Sequence, residues 1–496
     1  MVSRYSFFGG LTYVETSYLP LSIQTLFKTV PRLFVFFDAK RLRAPAFKQA
    51  LFKVLHLNLD LIHPLLSSLY SPIGRPTIHQ IEIFRSLLLM NHFGYTSISK
   101  WVDLLKSDAL YAALCGFFSD SDLPHLGSYY DFMDRLYLDK DHTFIFPINR
   151  YKKPDQKVKK GEKWNNASKN QTQLLYEKSM DGAIDEDRPE LILHQIFKSL
   201  AIDESSRQDL ISSKDLILSG DGSSLHIHAG TRGHRIPDTD ELRRYSDPDA
   251  NIGWDSDKGC FYFGYTSYFL ACHALKENTA FDRPLHFQLV PASQHDALTI
   301  FSVLAQFRHL NPDISVQHLC LDSAHDNSST FQLCHDWQIN PVIDLNKRNT
   351  KEKKFDDEFT LDLDGTPLCR CGERMVNWGY CKDRYRYKYR CPLKCRKIQD
   401  CPYKDRCSKS EYGRVLYIKS EELDPRYRSC IKYKTEKWNE IYKNRTSCER
   451  VNNRILNDYH LQHTFMRTKR RLYLLEMLCC INIHADAWYK FSDFDI

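Results

Sequence analysis

Residues 215–224 read DLILSGDGSS: Leu216, Ile217 and Leu218 form an apolar run, and a single carboxylate, Asp221, stands between Gly220 and Gly222. The run predicts a buried strand of a mixed sheet, and the Gly-Asp-Gly punctuation predicts a turn that ends it where the side chain reaches solvent. An acid placed there can hold a metal. The pattern recurs in VQHLCL, residues 316–321, a second short apolar strand that runs into Asp322. A strand-end Asp taken singly is more often a turn cap than a ligand. The pair gains meaning from a third acid, Glu449, on a predicted helix near the C-terminus.

Working outward, the order of elements is legible. The strand at 215–221 precedes a charged loop, 229–258, and two further strands, 260–272 and 285–290. A helix at 297–310, a strand at 316–321, a helix at 328–337 and a strand at 341–343 follow, with a last helical region at 436–458. This βββαβαβ succession predicts an α/β (α+β mixed) chain with a ribonuclease H-like core, in which the first and fourth strands lie side by side and a later helix crosses them. Asp221 and Asp322 then sit on adjacent strands, facing Glu449. Three clustered acids repel one another unless divalent cations occupy the gap, which predicts magnesium, with manganese as a substitute. Two such ions about 4 Å apart suit an in-line phosphoryl displacement. Tyr442, Arg445 and Glu449 stand at i, i+3 and i+7, within roughly 60° on one helix face. His226, His228 and His325 lie near the acids in sequence and read as hydrogen-bonded structural histidines.

Composition bounds the rest. The chain has 496 residues, 42% of them hydrophobic, enough for two to four domains with ample cores. No apolar run is long enough for a membrane span, since Glu476 interrupts the stretch from Leu472 to Ile483, and no secretion signal or lipidation site is evident. The expected location is the cytoplasm, in association with the nucleoid. Net charge is +7, yet residues 346–450 alone hold 28 Lys and Arg against 17 Asp and Glu, and a second basic run covers 150–163. Such concentration suits a polyanion. The divisions that follow are an unassigned region, 1–73; a helical domain for DNA binding or assembly, 74–139; a basic linker, 140–212; the first part of the core, 213–345; a basic Cys-rich insertion, 346–435; and the core's completion, 436–496. Seven of the sixteen cysteines fall between 369 and 407. Cys369, Cys371, Cys391, Cys395, Cys401 and Cys407 are candidate zinc ligands, because four clustered thiolates satisfy one tetrahedral ion, and a reduced, metal-free insert is the alternative. Alternating Arg or Lys with Tyr between 384 and 390 offers charge to phosphates and rings to bases or sugar.

On these residues the chain resembles the DDE transposases of bacterial insertion sequences, in the group whose Glu lies in a Tyr-x2-Arg-x3-Glu-x6-Lys signature. Tyr442, Arg445 and Glu449 match it, while Leu456 stands at the Lys position. The stretch GRPTIHQIEIFRSLLLMNHFGYTSISKWVDLL, from Gly74, resembles the family's N-terminal helical domain, and PASQHDAL, LCLDSAHDN and PVIDLNKRN resemble its core motifs. The resemblance implies that Asp221, Asp322 and Glu449 are catalytic and hold the magnesium. Tyr442, Arg445, Lys347 and Arg348 would contact DNA. It implies cleavage of the donor strand by water and attack of the exposed 3′ hydroxyl on target DNA, with no covalent protein–DNA intermediate. It also implies a dimer or higher assembly that holds both element ends. A nuclease of the same fold that cuts without joining, and a non-catalytic DNA-binding protein derived from such an element, are the alternatives.

Overall fold

The computed structural model describes residues 39–71, 73, 79–137, 144–148, 171–182, 188–276, 279–347, 353–354 and 359–494. The basic run at 150–163 and Arg348 lie outside them. The N-terminal part is helical: α1 (Pro45–His56), α2 (Gln80–His92), α3 (Ile98–Ser107), α4 (Ala109–Cys115) and α5 (Leu126–Arg135). Local rules set the boundaries of α3 and α4. Ser97 caps α3, Asp108 accepts a hydrogen bond from the Leu110 N–H at the start of α4, and Gly116, at φ +101°, ends it. The apolar stripe Ile98, Trp101, Val102 and Leu105 is buried, as its spacing predicts.

Residues 171–207 are more than a linker. The described part of this stretch includes α6 (Gln171–Met180) and α7 (Leu191–Phe197), which runs on through a π-turn (Lys198–Ile202) into a short helix (Asp203–Arg207), and α7 buries Ile192, Leu193, Ile196 and Phe197. The polar composition around them masks a short apolar run that is a core segment.

The central sheet has strands β1 (Leu216–His226), β2 (Asn251–Asp255), β3 (Cys260–Lys276), β4 (Thr279–Pro291), β5 (Val316–Leu321) and β6 (Asn340–Ile343). β3 runs antiparallel to β1, to β4 and, over its first residues, to β2. β1 pairs in parallel with β5, and β5 with β6. The first long strand and the one after α8 (Asp296–Leu310) are therefore neighbours, as the element order implies. α9 (Ser328–Asp336) makes the crossover from β5 to β6. Two local expectations differ. The charged stretch 229–258 contains the hairpin strands His234–Ile236 and Thr239–Arg244 and then β2. And β1 does not turn at Asp221 but continues in register to His226, with Asp221 opposite Phe269. The flanking glycines make room instead: a Cβ on Gly220 would stand 2.7 Å from the Tyr268 hydroxyl, and one on Gly222 would stand 2.5 Å from Asp296 Oδ1.

After β6 the insert folds around β7 (Val376–Cys381), β8 (Arg386–Arg390) and β9 (Val415–Lys419), an antiparallel sheet with its own apolar cluster that includes Met375, Tyr389 and Ile418. The chain then returns through α10 (Glu436–Tyr442), a 3-10 turn at Lys443–Arg445 and α11 (Thr446–Asn453). The final helix, α12 (Lys469–Lys490), is buried from Leu472 to Ala485, because it packs against α1, α2, α5 and α7 on one side and β4 on another. It joins the N-terminal helices and the sheet into one core. No helix among the described residues is long and apolar enough to cross a membrane.

Candidate active site

The parallel register places the two aspartates. Ser219 pairs with Cys320, and Asp221 and Asp322 each follow two residues later, so both acids lie on the sheet face that carries Ser219 and Cys320. That face is covered by α10 and α11. The Cys320 thiol reaches the Ile441 carbonyl at 3.4 Å, and the Cys448 thiol reaches the Ser219 carbonyl at 3.0 Å. Glu449, next to Cys448, is brought to the same edge. Its carboxylate accepts a 2.6 Å hydrogen bond from Arg445 Nη2, and the Arg445 charge also acts on Asp221 and Asp322. The Arg445 charge thus acts on all three acids, in contact with Glu449 alone.

Electrostatics separates the two aspartates. Burial, with the charges of Asp322 and Asp296, pushes the Asp221 carboxyl up to about 7. Burial also acts on Asp322, but the His325 hydrogen bond and charge and the Ala324 N–H outweigh it and hold Asp322 below the usual carboxylate range. His325 is fully buried between Asp322 (2.6 Å) and the Tyr268 hydroxyl (2.9 Å), so it positions the carboxylate. His226 bonds Asp255 at 2.8 Å, and His228 stacks on Phe465; both read as structural histidines. Tyr442 stacks on Trp438 and lies within reach of the Arg445 charge; burial and the charges of Asp344 and Asp322 raise its phenol. Lys347 is exposed on the loop that follows β6, where the Asn346 N–H bonds Asp326 at 2.8 Å.

Asp296 is the site residue that strand-end reasoning missed. It opens α8, is half-buried, and acts on the charge of Asp221; its own carboxyl is raised by desolvation and by Asp322, against His325 and His295. The signal was the His295-Asp296 pair at a helix start, together with a glycine, Gly222, that leaves it space.

The Asp221–Asp322 pair fits a hard divalent cation, because a positive ion would relieve the repulsion that raises Asp221. Glu449 is turned to Arg445, and among the described residues no group of three or more His, Cys, Asp or Glu is spaced to hold a metal ion. In the insert the thiols approach in pairs. Burial and the Cys371 and Cys391 thiols raise Cys401, while Cys369 is raised to about 11 by burial and by Cys371 and Cys407; all are free thiols. Cys391 and Cys395 bracket a turn closed by a 3.1 Å backbone bond.

The site is thus a mixed sheet with acids on adjacent parallel strands, covered by the helical segment that carries Arg445 and Glu449. Two family models match the chain, one described as "Transposase DDE domain" over residues 368–484 and one described as "Transposase domain (DUF772)" over 40–135. These two stretches, together less than half of the chain, are similar to transposase families and support a DDE transposase of insertion-sequence type. The first match covers most of the insert, Glu449 and α12 up to residue 484; the second covers α1 to α5. No curated protein matches the chain.

Proposed function

We propose that this transposase cuts DNA at the ends of an insertion sequence and joins the cut ends to target DNA, with Asp221, Asp322 and Glu449 as the metal-holding acids. The observation that carries the reading is the placement of Asp221 and Asp322 on adjacent parallel strands beneath the Arg445–Glu449 pair. Bound magnesium ions supply charge stabilisation for the attacking and leaving oxygens of the phosphodiester. The protein's own part is to hold the acids and to trade partners. A DNA phosphate drawn to the Arg445 guanidinium frees Glu449 to join the aspartates. His325 keeps Asp322 ionised and oriented, Tyr442 supports the phosphate, and Lys347, exposed beyond β6, offers DNA a further cation; Arg348, outside the described residues, is proposed for the same role from its place in the sequence. Holding two ends in one reaction calls for a homodimer or higher assembly on DNA, and a DNA-bound chain would reside with the nucleoid. Zinc at the insert's cysteines would have to draw their free thiols into a set of four, which no group of described residues forms here.

The test is nicking and joining of an oligonucleotide that carries the element's terminal repeat. Wild-type protein should nick in magnesium or manganese, and Asp322→Asn should reduce nicking at least a thousandfold while leaving DNA binding within a few-fold. Nicking without any joined product would reduce the reading to a nuclease, and DNA binding without magnesium-dependent nicking would remove the enzyme reading.

A further inference from the structure

The insert's sheet has two unlike faces. Along β8, Tyr387 and Tyr389 alternate with Arg386, Lys388 and Arg390, so the two sets point to opposite sides. Tyr389 is buried in the insert's core, as is Ile418, the cross-strand partner of Tyr387. The opposite side is a mosaic of cations on rings. Arg390 lies 4.2 Å from the Trp378 ring centre and 5.1 Å from that of Tyr412, and Arg386 lies 4.0 Å over Tyr417, with Lys388 at 5.9 Å from the same ring. Trp378, Tyr412 and Tyr417 are 52%, 63% and 45% exposed, so core packing does not explain them. Among the described residues no carboxylate forms an ion pair with Arg386, Lys388 or Arg390, whereas Lys419 at the sheet's edge is engaged by Glu421 and Glu422. The insert is tied down next to the acids, because Arg426 bonds Asp326 at 2.6 Å, four residues beyond Asp322.

We propose that this face is a platform for unpaired DNA, a single strand whose phosphates lie along Arg386, Lys388 and Arg390 and whose bases stack on Trp378 and Tyr417. Stacking needs a free base face, which a duplex conceals, while the cations alone would serve either form. The inference rests on the DNA-processing reading and adds to it a preference for melted strand beside the cleavage site.

Fluorescence anisotropy with the full chain tests it, using a labelled oligothymidylate, a duplex of equal length and an oligouridylate of equal length at one salt concentration. Trp378→Ala with Tyr417→Ala should weaken single-strand DNA binding by at least about tenfold and duplex binding by less than twofold. Trp378→Phe with Tyr417→Phe should keep most of the affinity. Equal loss on both DNA forms, no loss, or the same loss in the Phe variant would overturn the platform, as would tighter binding of the oligouridylate than of the oligothymidylate. The Asp322→Asn nicking assay reports separately. A chain that grips single strands through these rings but never nicks DNA keeps the platform and loses the enzyme.

Discussion

Asp221 titrates where most carboxylates are long since ionised, because burial and the charges of Asp322 and Asp296 resist its negative form. Its folded-state value, about 7, stands above the ordinary 3.8, so between those two values the folded chain binds more protons than the unfolded one. Stability contributed by this group is therefore present at low pH and falls as pH rises through 7. Without divalent cation, Asp221→Asn should raise the melting temperature by a few degrees at pH 8 and have little effect at pH 4, as followed by differential scanning fluorimetry. A lower melting temperature for the variant at pH 8 would show that Asp221 is not held against repulsion. The same proton opposes cation binding, so nicking at limiting magnesium should decline as pH drops below 7.

Among the elements, α12 carries the largest structural burden. Lys53 of α1 is fully buried and meets Asp486 of α12 at 2.7 Å, Asn482 at 2.9 Å and His92 of α2 at 2.9 Å. Burial pulls the Lys53 ammonium down, while Lys53 and Arg454 help hold the Asp486 carboxyl low. Asp486→Ala strands a buried cation, and urea unfolding should show a loss of about 3–5 kcal/mol. A loss below about 1 kcal/mol would mean that Lys53 finds water or another partner. Glu476, on the same helix, is buried against the Ser267 hydroxyl and pushed well above the usual range, so it is a neutral acid in the core. The break between α10 and α11 matters as well. The 3-10 turn at Lys443–Arg445 interrupts the single helix that the i, i+3, i+7 spacing implies, yet Arg445 and Glu449 still meet at i, i+4.

At the scale of the whole molecule, the basic insert and the N-terminal helices lie on either side of the core in sequence, and α12 ties the helices to the sheet. The insert's small core, built on Met375, Tyr389, Ile418 and their neighbours, is the kind that gains from a metal staple. Protein purified under reducing conditions should contain about one zinc per chain by elemental analysis, in keeping with a four-thiolate site. Cys371→Ser with Cys401→Ser should lower that content and loosen the insert to proteolysis. Metal-free protein with an equally resistant insert would leave the thiols as reduced packing residues.

Strand and helix order, the pairing of Asp221 with Asp322 and the Tyr442–Arg445–Glu449 pattern were all legible in the linear chain, because hydrophobic periodicity and motif spacing are local properties. Several things were not. The glycines beside Asp221 looked like a turn and prove to be clearances for Tyr268 and Asp296, since a turn and a crowded strand leave the same mark in sequence. Asp296 joins the site because α8 begins over β1, and the Arg445 charge, paired with Glu449, also acts on Asp221 because the helical segment covers the sheet there. The sequence by itself determined the class of fold and which acids to suspect. Only the tertiary structure decided which of them share a field, because burial and charge act through space, between residues that can be hundreds of positions apart in the chain.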